Sequence, residues 1–219
     1  MPVRHGKWSQ IIKSYMMMKI RITNFALLCA VAFFAGACSD NDNSSDKTYK
    51  IGDYYDRGGI RGVVFAVDEG GRHGLICSLD EGKAVWSTEV VQTAAKDLEN
   101  GAKNQAAIEK LPDWQRKYPA FAWCATKNVN GVVGWYLPAY EELLALSDVW
   151  DADKDALNKS LTDHGGEALT AAMDADGFYW TSSEDITDAE YAVAYSFAEE
   201  RPGFQLKSIS LRVRAVCRF

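Results

Sequence analysis

Gly134-Trp135-Tyr136-Leu137-Pro138-Ala139-Tyr140-Glu141-Glu142-Leu143 is the stretch on which the fold turns. Two large aromatics and a leucine run into a proline, and two glutamates then stand directly ahead of an apolar helical pattern. Pro138 suits the opening of a helix, where a missing amide hydrogen leaves no bond unmade. Glu141 and Glu142 fall in the first turn, where the helix dipole favours negative charge. Leu143, Leu146 and Trp150, with Leu144 and Val149 beside them, recur three or four apart and make one buried stripe. Asp151 to Leu161 reads as a further short helix, ended by Gly165-Gly166. Trp135 is too large and apolar to stand in water, so it is expected in the core.

Outward from this stretch the pattern changes on both sides. Tyr49 to Asp56, Ile60 to Asp68 and His73 to Leu79 are short runs rich in β-branched and aromatic residues, and Gly70-Gly71 between the last two predicts a hairpin. Residues 80–101 read as loops with Trp86 as a buried anchor. Ala107, Ile108, Leu111 and Trp114 have helical spacing, which Pro112 and Pro119 must interrupt. On the C-terminal side, Phe178 to Ser183, Tyr191 to Ala198, Phe204 to Ile209 and Leu211 to Phe219 have β character. In the last of these, Leu211, Val213, Ala215 and Cys217 alternate with Arg212, Arg214, Val216 and Arg218, as in a strand with one face in the core. Strands at both ends with helices between them predict an α+β domain over residues 49–219, with mixed antiparallel sheets, two or three helices and its termini close together.

Two further segments join the opening one. Phe178-Tyr179-Trp180-Thr181-Ser182-Ser183-Glu184 and Leu211-Arg212-Val213-Arg214-Ala215-Val216 follow it in order. Together the three resemble the G-W-R-L-P-T-x-x-E-L, Y-W-S-S-S/T-E and R-V-R-x-V segments of C-type-lectin-like domains of the kind at the C-terminus of the Legionella collagen-like adhesin, also found in Fibrobacter major paralogous proteins. The resemblance covers roughly residues 51–219 and implies the C-type-lectin-like fold far more firmly than any activity. The chain departs from it at Tyr136, where the family has arginine, and at Ala139, where threonine would cap the helix and its loss costs about 1 kcal/mol.

Residues 1–37 look like a bacterial export signal that starts at one of Met16, Met17 or Met18. Lys19 and Arg21 precede the apolar run Phe25 to Phe34, which is short for a permanent span. Ala35-Gly36-Ala37-Cys38 resembles a lipobox, so Cys38 is expected to carry diacylglycerol, the alternative being an ordinary secretory cleavage near Ala37. Residues 38–48 read as a polar, acidic tether, similar to those behind the lipidated cysteine of surface-exported lipoproteins of Bacteroidetes. This predicts a lipid-anchored protein of the outer membrane, exposed at the cell surface, the alternative being a flexible spacer in the periplasm. Residues 1–37 hold five of the 24 lysines and arginines and none of the 30 acids, so the remainder carries a formal charge of −11. A surface so negative repels phosphate backbones, and nucleic acid is not an expected partner.

Catalytic chemistry finds little to work with. Cys77, Cys124 and Cys217 have no metal-ligand or dithiol spacing, and at most one disulfide joins them. His73 sits at a hairpin turn and His164 at a helix end, where a cation is favourable. Asp151-x-Asp153-x-Asp155 imitates the opening of a calcium loop, but Ala156 and Thr162 replace its glycine and its closing glutamate. Neither a metal, a cofactor nor an enzymatic activity is expected. The reading is a surface binding or adhesion module for a glycan or protein ligand, held to the membrane only through its lipid. Its face is placed on long loops between Ser183 and Leu211, with Tyr191, Tyr195, Glu199, Glu200, Arg201 and Phe204 as contacts. The alternatives are an enzyme of the formylglycine-generating branch of the same fold, or a structural subunit of a surface appendage.

Overall fold

The computed structural model describes residues 47–219. The signal region, Cys38 and most of the tether lie outside the described residues. Ten strands form two five-stranded sheets. The first has the order β1-β2-β3-β10-β5, from Tyr54–Arg57 (β1), Ile60–Val67 (β2), Gly74–Ser78 (β3), Val216–Arg218 (β10) and Trp135–Tyr136 (β5). The second has the order β4-β9-β6-β7-β8, from Gly82–Val85 (β4), Ser210–Val213 (β9), Phe178–Glu184 (β6), Tyr191–Ser196 (β7) and Arg201–Leu206 (β8). All pairs are antiparallel except β6 with β9. Four helices complete the domain: Gly101–Ile108 (α1), Trp114–Lys117 (α2), Pro119–Ala125 (α3) and Tyr140–Asp163 (α4). The fold is α+β and C-type-lectin-like, with one helix more than the two or three expected. The extra element arises because each proline restarts the chain, Pro119 standing at the first turn of α3. None of the described helices is long and apolar enough to cross a membrane.

Alternate residues of the same strands feed two cores. Val64, Ile76, Trp180, Ala192 and Ala194 pack with Trp86, Tyr118 and Phe121 on the side of the short helices. Val63, Phe65, Tyr179, Val193 and Tyr195 pack with Leu143, Leu146 and Trp150 of α4. Covered on both faces, residues 63–67 of β2, 178–180 of β6 and 191–195 of β7 read as continuous apolar runs rather than alternating ones. Trp135 and Trp180 are buried as expected. The ends of the domain meet, with the Tyr49 and Phe219 rings 5.3 Å apart.

Several boundaries differ from expectation. The first strand begins at Tyr54, because Lys50 to Asp53 close a turn in which the Asp53 carboxylate accepts from the Lys50 amide at 2.8 Å. Two short strands were unmarked: β4, in the stretch read as loop, and β5, inside the opening motif. The helix after Pro138 is capped at Ala139, as expected, and α4 runs on across a kink into the further short helix expected over 151–161. It breaks its geometry at Asp153 (φ −161°, ψ 82°), whose carboxylate accepts from the Ala156 amide at 2.9 Å and restarts the helix. That cap is the role of the central acid in the calcium-like triplet. The last run is two strands in different sheets, because the chain leaves the second sheet after Val213 and enters the first at Val216. Arg214, expected on a solvent face, is 1% exposed at this crossing.

Candidate binding face

Each of the three motifs contributes a charge to a buried network. In the first, Glu142 accepts from the Gly101 and Ala139 amides at 3.0 and 2.9 Å and from the Tyr136 hydroxyl at 2.8 Å, and pairs with Arg218 at 2.7 Å. Burial, then the Glu142 charge, pushes the Tyr136 hydroxyl far above the usual phenol range, so it donates at every physiological pH. Gly101 must be glycine: a Cβ there would stand 2.4 Å from the Leu137 carbonyl oxygen. In the third, Glu81 takes Arg212 and, at 2.8 Å, Arg214, whose guanidinium also donates to the Ser78, Leu79 and Glu167 carbonyls. Four acceptors on its two terminal nitrogens let the charge be buried at the strand crossing, while its buried Nε has no partner among the described residues.

The second network lies under the surface that matters most. Glu184 accepts from the Thr93 amide and hydroxyl, at 2.8 and 3.0 Å, and from the Lys207 ammonium at 2.8 Å. Lys207 also donates to the Val91 carbonyl at 3.0 Å and lies over the Trp86 ring, 4.6 Å from its centroid. Both ionic side chains are buried, at 2% and 0% exposure. Around them the backbone stitches three segments together. The Ser87 amide bonds to the Lys207 carbonyl at 3.1 Å, the Lys207 amide to the Glu190 carbonyl at 2.8 Å, and the Gln92 side chain to the Asp185 carbonyl at 2.7 Å.

This latch fixes a loop face made of residues 87–92, 185–190 and 206–208. A shallow cleft of about 210 Å³ opens in it, lined by Ser87, Thr88, Glu89, Val90, Glu190, Leu206, Lys207 and Ser208. Val90, Val91, Ile186 and Leu206, four of the eight exposed large hydrophobics among the described residues, stand on these segments. Exposed aliphatic side chains on segments tied to one another make this the candidate interaction surface. A larger cleft of about 390 Å³ lies elsewhere, between Arg61, Asp80, Lys127, Trp135 and His164. There Lys127 pairs with Asp80 at 2.6 Å, and the His164 ring stacks on Tyr54 at 3.8 Å.

The six residues expected to form the face do not come together. The segment from Ser183 to Leu211 is mostly the β7–β8 hairpin, with a loop only at each end, so strand geometry separates the expected contacts. Tyr191 pairs with Leu206 at the latch end, while Glu199, Glu200 and Arg201 belong to the opposite turn, about 17 Å along the hairpin. There Arg201 pairs with Glu199. Tyr195 is a core residue, 2% exposed, its hydroxyl 3.0 Å from that of Ser147, and Phe204 is partly buried against the same core. Residues 87–92 of the latched loop face lie outside the segment expected to bind. Their one signal was Val90-Val91, an aliphatic pair in a stretch with no period to bury it.

A family model, the Lcl C-terminal domain, matches residues 80–217. The chain belongs to this family. No curated protein matches it. The match takes in all three motifs, and Glu142, Glu184 and Arg214 within them are buried in this Lcl C-terminal domain and hold loops. Where the family pattern has arginine, Tyr136 stands, and the guanidinium that meets Glu142 comes from Arg218 of β10 instead. The missing threonine cap is likewise served from outside: Ser183 Oγ lies 3.3 Å from the Tyr140 amide and the Leu98 carbonyl 2.8 Å from the Glu141 amide. The three thiols of the domain are free and buried. Burial pushes Cys77 and Cys124 up and Cys217 up to about 11.

Proposed function

We propose that this Lcl C-terminal domain is an adhesin-like binding module without catalysis, carried at the outer surface of the cell on a lipid at Cys38, and that it binds through the latched loop face. The observation that carries the reading is the concentration of exposed Val90, Val91, Ile186 and Leu206 on segments held by the buried Lys207–Glu184 pair. A face rigid before binding loses little entropy on association. The export signal and the small residues before Cys38 support the anchor, since a diacylated cysteine supplies the two chains that stable attachment needs. The buried, high-pKa thiols favour binding over thiol-based oxidation, which needs an accessible thiolate.

Intact cells carrying the full chain, laid on an array of glycans and proteins, test this reading. Wild-type cells adhere. Cells with Cys38→Ser lose the protein from the membrane fraction and lose adherence with it. Cells with Val90→Asp/Leu206→Asp keep the protein at wild-type level and lose at least about tenfold in adherence, because the apolar centre of an interface supplies most of its energy. Adherence that survives the double substitution overturns the placement of the face, and a fatty-acid label that still marks the serine variant overturns the anchor.

A further inference from the structure

Resting on that reading, we propose that the latched loop face takes a polypeptide whose apolar centre is flanked by lysine or arginine. The face is aliphatic: Val90 and Leu206 line its cleft, and Val91 and Ile186 stand exposed on the same loop segments. Sugars are gripped by stacking on exposed rings and by pairs of planar polar groups. Here the rings of Trp86 and Tyr118 are buried beneath the surface, and Tyr191, across from Leu206, is half-buried. Aliphatic side chains of a polypeptide fill such a centre by ordinary burial.

The rim fixes the sign of the partner. Asp188 and Glu190 are exposed on the loop between β6 and β7, and Glu190 lines the cleft. Glu89 also lines it and is partnered by Lys117 at 3.0 Å. The Lys207 ammonium is buried in its pair with Glu184, so it does not offset the rim from the surface. An apolar centre with an acidic edge is complementary to an apolar segment with basic neighbours. A second copy of the chain is the poorer occupant. Residues 38–219 hold 19 lysines and arginines against 30 acids, and two such molecules repel.

The test selects a random-peptide phage library against the purified full chain and measures a synthesised winner by calorimetry. Enriched peptides are expected to combine aliphatic residues with lysine or arginine, and their affinity to fall as salt rises. Leu206→Asp and, separately, Glu190→Lys each weaken binding about tenfold, and Asp188→Asn, which keeps the acceptor for the Glu190 amide, weakens it less. All three positions are exposed, and an unchanged melting temperature verifies the fold. Winners that are acidic, or that bind Glu190→Lys as well as wild type, overturn the basic partner. Sedimentation showing a dimer that Leu206→Asp dissolves overturns it in favour of a second copy. Glycan binding that Leu206→Asp abolishes, with no peptide enriched, overturns the polypeptide and leaves the adhesion reading standing. Array adherence unaffected by the face substitutions brings down both.

Discussion

Glu184 and Lys207 show how a motif residue serves function without touching a ligand. Each is buried, and each is bonded to the other and to loop backbone. Removing one charge therefore leaves its partner desolvated and alone. Lys207→Met is expected to destabilise the domain by about 3–5 kcal/mol, as is Glu184→Gln in the same direction by a smaller amount, since the amide oxygen still accepts from Thr93. The double variant should cost less than the sum, because no orphan charge remains. Urea unfolding of the four proteins measures the coupling, and a Lys207→Met variant within about 0.5 kcal/mol of wild type would show the pair to be dispensable. Trp86, beneath the ammonium, follows the same logic: its indole donates to the Thr181 carbonyl at 2.9 Å while its face meets the charge.

Loop 97–100, which leads into α1, is organised by one aspartate. The Asp97 carboxylate accepts from Lys103 at 2.8 Å and from the Glu99 and Asn100 amides at 2.9 and 3.0 Å. Its own carbonyl takes Ser183 Oγ and the Asn104 side chain, tying α1 to β6. The bond from Lys103, followed by those two amides and opposed by burial, holds the Asp97 carboxyl below the usual carboxylate range. The charged form thus favours the fold. Its contribution is complete above the ordinary value of about 3.9 and disappears as pH falls through the lower folded value. Asp97→Asn keeps the amide acceptor and loses the charge, so it should melt below wild type at pH 7 and converge with it as the pH drops below 4. Parallel melting curves with a constant gap from pH 7 to pH 2 would refute this.

At the same scale it becomes clear what was legible beforehand. The hairpin of β2 and β3 and the helix after Pro138 followed from local period and turn chemistry. Strands β4 and β5 did not, because four and two residues are too short to show a period, and their pairing with β9 and β10 is set by distant chain. The face was half legible. Its C-terminal half stood in the segment named, but contacts were chosen by residue type, and strand pairing sends Tyr195 into the core and Arg201 to the far turn. Its other half depends on a bond between Thr93 and Glu184, 91 positions apart, which no local pattern announces.

Across the whole domain, the two cores share the same strands, so neither opens alone without disturbing the other. Cys77 lies in one core, and Cys124 and Cys217 lie in the other. Their burial raises every thiol, Cys217 to about 11, so almost no thiolate exists at neutral pH. Alkylation must then wait for global opening rather than for fraying of one segment. Treatment of the native full chain with iodoacetamide, read cysteine by cysteine by mass spectrometry, should leave Cys77, Cys124 and Cys217 unmodified while a free-thiol peptide in the same tube is consumed. In urea all three should react together, at the same denaturant midpoint as the loss of tertiary signal. Prompt native labelling of Cys124 would reveal a path to a thiol placed here in the sealed core, and with it would fall the main physical support for binding rather than thiol chemistry. Labelling that tracks unfolding at all three sites ties the rigid loop face and the inert thiols to one cooperative unit.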